Sequence, residues 1–419
     1  MTNAKDTTSL RVVHPVCCGL DVHKEVIVAT LIMEKDDGII FSQTEEFGTF
    51  VDDLEDLRDW LKEHGCEVVA IESTGIYWRC VHNVLEEHVD VVLVNARHVK
   101  NVPGRKTDIE DSRWLADLLR HGLVRGSFIP EKLVRQWRDL TRMRRKNREA
   151  YGDYKRRIHK LLESANIKLG SIVSDLFGET GLNLLALLMS DTQIRLEDVE
   201  ACARGNLRKK VHELYRSIQG FWEPHHRFQL KTLMTILETI EKANTDIDAR
   251  LKELMKEHED LIKDMTEVPG IQELSAWYVL SEIGVDLNAF PSATALCSWA
   301  GLCPGNNQSA GKRRSGRSPV RKHHLKTILI EVAWAAVRTK GTYYRDKYWR
   351  LRHRLGPKKA IVAIAHRILK ALYFIIKERR KYKELGEEYL SQKNKRNKLY
   401  KLKRAAKEFG FDLVPAQTA

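Results

Sequence analysis

The tightest constraint on the fold lies in the first third of the chain, where two short apolar runs each close on a single acid. "VCCGLD" ends at Asp21 and "VVAIE" at Glu72. Runs this short and this apolar read as central strands, covered on both faces. The segment "HPVCCGLDVHKEVIVATLIMEKDDGIIFSQTEEF" divides into three strands, the last pair joined at the "KDDG" turn. "TFVDDLEDLRDWLKEHG" spaces Val51, Leu54, Leu57 and Leu61 at helical intervals and stops at Gly65. "EVVAIES" forms a fourth strand, "IYWRCVHNVLEEH" a helix and "VDVVLVNARHV" a fifth strand. A last helix follows in "GRKTDIEDSRWLADLLRHG". The order β-β-β-α-β-α-β-α predicts a mixed α/β domain over residues 1–130.

On that last helix, Asp108, Asp111, Leu115, Leu118 and Gly122 fall on one stripe, while Glu110 lies about 200° from Asp108. The stripe predicts two acids aimed toward the core, although Asp108 would also serve as an ordinary N-cap. Carboxylates facing a core are costly without a positive partner. With Asp21 and Glu72 they make four that would raise one another's pKa unless cations neutralise them. Oxygen ligands of this kind suit Mg²⁺ or Mn²⁺. Asp21, Glu72, Asp108 and Asp111 are therefore the candidate metal ligands and catalytic residues.

Charge divides the chain in the same place. Residues 1–120 carry a net charge of −10, against +14 for the whole chain of 419 residues. An acidic domain joined to a strongly basic remainder suits cation binding in one part and phosphate binding in the other. The seven cysteines include no CxxC pair and read as reduced thiols. The polar start "MTNAKDTTSL" and the lack of a long apolar run predict a soluble, cytoplasmic protein with no membrane partner.

Residues 131–265 read as a helical linker. Leu230, Leu233, Leu237, Ile240, Ile247, Leu251 and Leu254 step by threes and fours with Asn244 in the same seam, a coiled-coil pattern equally compatible with an ordinary bundle. Earlier, "RMRRKNRE" interrupts an apolar seam, which makes Arg142, Arg144, Arg145 and Lys146 either a solvated face or a patch for a nucleic-acid backbone. Residues 266–380 form a third, mostly helical unit. "VPGIQELSAWYVLSEIG" has the form of a helix-hairpin-helix turn in which Gly270 would let backbone N–H groups approach a phosphate. From Gly305 to Lys326 the chain carries seven Lys or Arg and no acid. Lys312, Arg313, Arg314, Arg317, Arg321 and Lys322 in that stretch are candidate phosphate contacts. Residues 381–419 form a basic tail.

Five segments taken together, "GLDVHKEVIVATLI", "IESTGIYWR", "VNARHVKNVPGRKTDIEDSRWLADLLRHG", "VPGI" and "AGLCPGNNQSAGKRRSG", resemble the IS110 family of insertion-sequence transposases. The resemblance implies an N-terminal domain similar to RuvC, of the RNase H-like fold, with its Asp-Glu-Asp-Asp tetrad on Asp21, Glu72, Asp108 and Asp111. It implies a catalytic serine in the C-terminal transposase domain, falling on Ser309 of "QSAGK", with Ser315 and Ser318 as alternatives in the same loop. It further implies a serine linked covalently to DNA, donor and target DNA as substrates, and a guide RNA encoded by the element. A tetrad and serine separated by a long helical segment suit a homo-oligomer, dimer or tetramer. Two other functions fit parts of the pattern: a structure-selective nuclease using the tetrad alone, and a non-catalytic nucleic-acid-binding protein.

Overall fold

The computed structural model describes residues 11–34, 39–73, 75–95, 108–305, 307–309, 312–315 and 323–414. The chain divides into two compact units, residues 1–129 and 130–419.

The first unit is built on a five-stranded sheet of β1 (Val16–Val22), β2 (Ile27–Glu34), β3 (Ile40–Phe47), β4 (Val68–Glu72) and β5 (Asp90–Val94), in the order β3-β2-β1-β4-β5. β1 pairs antiparallel with β2, and β2 with β3; β1 pairs parallel with β4, and β4 with β5. The apolar runs take the centre, and the polar "IFSQTEEF" takes the edge, where its side chains meet solvent. α1 (Val51–Glu63) and α2 (Trp78–Leu85) supply the parallel crossovers. They pack with Cys18, Leu20, Val69 and Ile71 on one sheet face. α3 (Asp108–Arg120) covers the other face, where Leu115, Ala116 and Leu119 meet Cys17, Val68 and Ala70.

Gly19 sets how closely α3 approaches. A Cβ there would lie 2.1 Å from the Ser112 carbonyl oxygen and 2.5 Å from the Ala116 nitrogen, so the helix backbone rests directly on β1. Cys17 Sγ donates to the Ala116 carbonyl at 3.4 Å, and the Thr30 and Ser112 hydroxyls meet at 2.7 Å. These contacts fix both the height and the rotation of α3. Burial pushes the Cys17 and Cys66 thiols up to about 12, which keeps them protonated and inert at neutral pH.

The second unit opens on two long helices, α4 (Lys132–Ser164) and a later partner. Between them come α5 (Leu169–Ile172), α6 (Glu179–Met189), α7 (Leu196–Cys202) and α8 (Val211–Ser217), and then α9 (Pro224–Leu254). Arg144 faces Asp248 and Tyr151 faces Glu241, so α4 and α9 run antiparallel. Leu230 and Leu237 of α9 share one core with Ile158 and Leu161 of α4. The coiled-coil seam is thus filled by a helix of the same chain.

Asn244 is buried in that seam, and its Oδ1 has no hydrogen-bond partner among the described residues. A buried unsatisfied carbonyl costs roughly 1–3 kcal/mol. Asn244→Leu is therefore expected to stabilise the chain by about 1 kcal/mol, read as a higher urea midpoint at unchanged slope. A lower midpoint would show that the amide contributes net stability.

The remaining elements are α10 (Glu259–Thr266), α11 (Glu273–Ile283), α12 (Ala293–Trp299), the hairpin β6 (Asn307–Ser309) and β7 (Lys312–Ser315), then α13 (His324–Ala336), α14 (Tyr343–Leu355), α15 (Pro357–Glu378) and α16 (Tyr389–Glu408). α15 is the central helix of this part, burying Ile361, Ile364, Ile368, Leu369 and Leu372. Among the described residues no helix is long and apolar enough to cross a membrane.

Candidate active site

Strand register brings Asp21 and Glu72 together. β1 and β4 pair in parallel as Cys18↔Val69, Gly19↔Ala70 and Leu20↔Ile71, so the two acids follow at the next position on adjacent strands. Side chains alternate along a strand. Cys17, Val68 and Ala70 face α3, and the acids, two positions on from Gly19 and Ala70, point to that same side. α3 runs opposite to β1: Ala116 lies against Cys17, and Ser112 against Gly19. Two strand residues rise about 6.6 Å and four helix residues about 6 Å. Continuing that step places the first turn of α3, Asp108 to Asp111, at the level of Asp21. Three elements thus converge at one end of one sheet face. The backbone of Asp108 is described; its side chain lies outside the described set.

The stripe that the sequence predicts is met only in part. Leu115 and Leu118 are buried as expected, but Ser112, Ala116 and Leu119 are buried with them, whereas Asp111 is exposed, as is Glu110. Close packing on Gly19 rotates the helix by about one residue, which moves Asp111 from the core to the rim. That position leaves its carboxylate accessible from solvent. The Asp21 side chain is 17% exposed, and its Oδ2 lies 3.2 Å from Nε2 of His23, a neighbour that no spacing pattern in the sequence singles out although it stands two residues away. Glu72 is half-buried.

In the second unit, Ser309 ends β6 and pairs with Lys312, and Gln308 pairs with Arg313. Ser309 and Lys312 therefore form the pair at the tip of the hairpin ladder. Ser315 lies further down, opposite Asn307. This hairpin occupies part of a stretch that read from sequence as a loop. Backbone alone is described for Ser309, Lys312, Arg313, Arg314 and Ser315; Arg317, Ser318, Arg321 and Lys322 lie outside the described residues.

The basic run on α4 is engaged within the chain. Arg142 binds Glu282 with both its Nε and Nη2 at 3.0 Å, and Glu282 is 4% exposed. Arg144 Nη2 donates to Asp248 at 2.9 Å, and Arg145 Nη2 to Glu331 at 3.2 Å. Lys146 pairs with Glu149 at 2.7 Å and remains the most exposed of the four, at 76%. Arg142 makes the closer of two ion pairs to this buried acid, Arg138 Nε lying 3.7 Å from the same carboxylate, so its removal is a folding lesion before it is a binding one. Burial and then Arg142 hold the His324 imidazole below its usual pKa.

Gly270 likewise has a packing reason. Its φ is 88°, and a Cβ would lie 2.5 Å from the Val332 carbonyl oxygen of α13. Among the described residues one further group has metal-ligand spacing: Glu223, His225 and His226, with ligand atoms within 4.8 Å of one another. Its His226 Nδ1 already accepts from the Glu223 N–H at 3.2 Å. The group lies on the first turn of α9, where the positive end of the helix disfavours a cation.

Three antiparallel strands followed by two parallel ones, with acids on adjacent central strands and on the helix crossing them, define an RNase H-like domain. A transposase family profile, for DEDD-type IS110 enzymes, matches residues 18–167, and the profile of the IS116/IS110/IS902 transposase family matches residues 263–350. The chain belongs to the IS110 family of transposases. A Streptomyces coelicolor protein named for the transposase of the IS117 mini-circle is 30% identical over 122 residues, which span 28% of this chain and 29% of that relative. The RuvC structure of Thermus thermophilus aligns with 27% of this chain and 99% of its own, at 14% identity and a TM-score of 0.22.

Proposed function

We propose that the chain is a DNA transposase that cuts and rejoins strands with a metal-binding acidic site in its first unit and Ser309 as nucleophile in its second. The observation that carries this reading is the convergence of Asp21, Glu72 and the first turn of α3 at one end of the sheet. Family membership supplies the reaction class.

The donor set fits a hard divalent cation, because every side chain in it offers carboxylate oxygen. Asp21, Glu72, Asp108 and Asp111 would hold Mg²⁺ or Mn²⁺. When bound, such ions stabilise the negative oxygens of an in-line displacement at phosphorus. In the chemical step Ser309 Oγ forms a bond to phosphorus as a bond from phosphorus to a DNA oxygen breaks. The serine hydroxyl loses its proton, and the departing DNA oxygen gains one. The number of phosphodiester bonds is conserved, so a different DNA hydroxyl can later displace Ser309 without another energy source. Lys312, Arg313 and Arg314 lie beside Ser309 in sequence and supply the positive charge that a pentacoordinate phosphate requires. An element-encoded guide RNA and a homo-oligomer complete the reading. With the α9 seam occupied by α4, self-association belongs to another surface.

A plasmid carrying the element and its flanks tests the whole reading. Purified chain with Mg²⁺, together with RNA transcribed from the flanks, should produce recombinant junctions by sequencing, and EDTA should abolish them. Nicks without junctions would instead indicate a nuclease using the tetrad alone. Unaltered DNA in both conditions would contradict the assignment.

A further inference from the structure

α16 contains eight Lys or Arg and one acid, and only Leu390 at its start is buried. A core therefore does not account for this helix. One side of α16 and Arg350 of α14 bound an open groove of about 800 Å³. Lys395, Lys398, Lys401 and Arg404 line it with Arg350, Asn394 and Asn397 add amide groups, and no acid contributes to the lining. Arg350 is held toward α16 by a hydrogen bond to the Ser391 hydroxyl at 2.6 Å and braced by Asp346 at 2.8 Å.

The spacing is regular. Lys395, Lys398, Lys401 and Arg404 recur every third residue, and the run spans about 14 Å at 1.5 Å per residue. One strand of duplex DNA rises about 3.4 Å per phosphate along the axis while it winds, which sets successive phosphates about 6–7 Å apart, so the run and the reach of its side chains cover about three or four phosphates. Four cations thus meet about three or four anions. Two acids partly offset the charge, Asp346 on Arg350 and Glu408 on Arg404 at 3.3 Å, and the balance stays positive: burial, then Arg367 and Arg350, hold the Lys347 ammonium below its usual pKa. A membrane surface fits less well, because the groove lining holds a single aromatic, Tyr400, among cationic, amide and hydroxyl side chains.

We infer that the groove between α14 and α16 binds the phosphate backbone of duplex DNA without reading its sequence, as a surface additional to the tetrad and the serine hairpin. This rests on the DNA-transposase reading and gives that reading a docking surface.

The test compares full-length variants for binding to a random-sequence DNA duplex across a salt series. Lys395→Gln, Lys398→Gln, Lys401→Gln and Arg404→Gln together remove the groove charges. Arg396→Gln, Lys403→Gln and Lys407→Gln together remove charge from the opposite side of α16, outside the groove lining. Gln keeps helix propensity close to that of Lys and Arg, and circular dichroism verifies that the helix survives. The groove set should reduce the slope of log K against log[salt] by about 3–4, at ~0.9 per lost phosphate contact. The opposite set should change it by less than about 1. Equal reductions in both sets, or none in either, would overturn the groove assignment while leaving the transposase reading intact. Loss of binding to a structured RNA with duplex DNA binding unchanged would overturn the choice of DNA. Failure of the unsubstituted chain to bind DNA at all would overturn the transposase reading together with the groove.

Discussion

Ser309→Ala is expected to abolish strand joining and to eliminate any protein band linked to DNA on a denaturing gel, while nucleic-acid binding persists. A deleted nucleophile costs on the order of 10⁶-fold where the residues of a site act as a unit. The position supports that choice within the hairpin, since Ser309 stands at the tip opposite Lys312, whereas Ser315 pairs with Asn307 further down. A nucleophile at a hairpin tip can reach a phosphate that the strands themselves could not approach. Ser309→Cys keeps a nucleophilic atom but lengthens the bond to it, so a trace of adduct is compatible with the role. A DNA-linked band that survives Ser309→Ala and disappears with Ser315→Ala would transfer the role within the hairpin. Unimpaired recombination by Ser309→Ala, Ser315→Ala and Ser318→Ala alike would remove the serines of this loop from the mechanism.

Asp21→Asn and Glu72→Gln should each reduce strand exchange by about a thousandfold, equivalent to roughly 4 kcal/mol of transition-state stabilisation. The same loss is expected for Asp108→Asn and Asp111→Asn. These changes are close to isosteric and act at the end of the sheet, away from Leu20, Ile71 and Leu115 in the core, so thermal unfolding should move little. Glu110→Gln is the control: it removes an exposed acid on the same turn as Asp111 that is not among the four candidate ligands, and it should leave activity within twofold or so. A fully active, folded Asp21→Asn variant would separate the sheet-end acids from the chemistry.

Much of this arrangement was legible in the chain because strand and helix periodicities are local. The apolar runs ending at Asp21 and Glu72 identify central strands without knowledge of their partners, and parallel register then brings the acids together. The rotation of α3 was not legible. It depends on Gly19 meeting Ser112, a contact between residues far apart in sequence, and that contact turns Asp111 outward. The basic run on α4 shows the same limit. Arg142 and Arg144 look like unpaired cations until α11 brings Glu282 and α9 brings Asp248 against them. Gly270 looked like an opening for a phosphate, and the backbone of α13 fills the place of its missing Cβ. The α9 seam was visible as a pattern, but periodicity carries no information on which helix fills it.

Binding of Mn²⁺ to the purified full-length chain, followed by electron paramagnetic resonance, tests the acidic site most directly because it requires neither DNA nor turnover. The unsubstituted chain and Glu110→Gln should bind the ion with equal affinity, and Asp21→Asn and Glu72→Gln should each weaken binding by tenfold or more, the loss of one charged ligand being worth upwards of about 1.4 kcal/mol. Equal Mn²⁺ affinity in the unsubstituted chain, Asp21→Asn and Glu72→Gln would contradict a metal site at the end of this sheet.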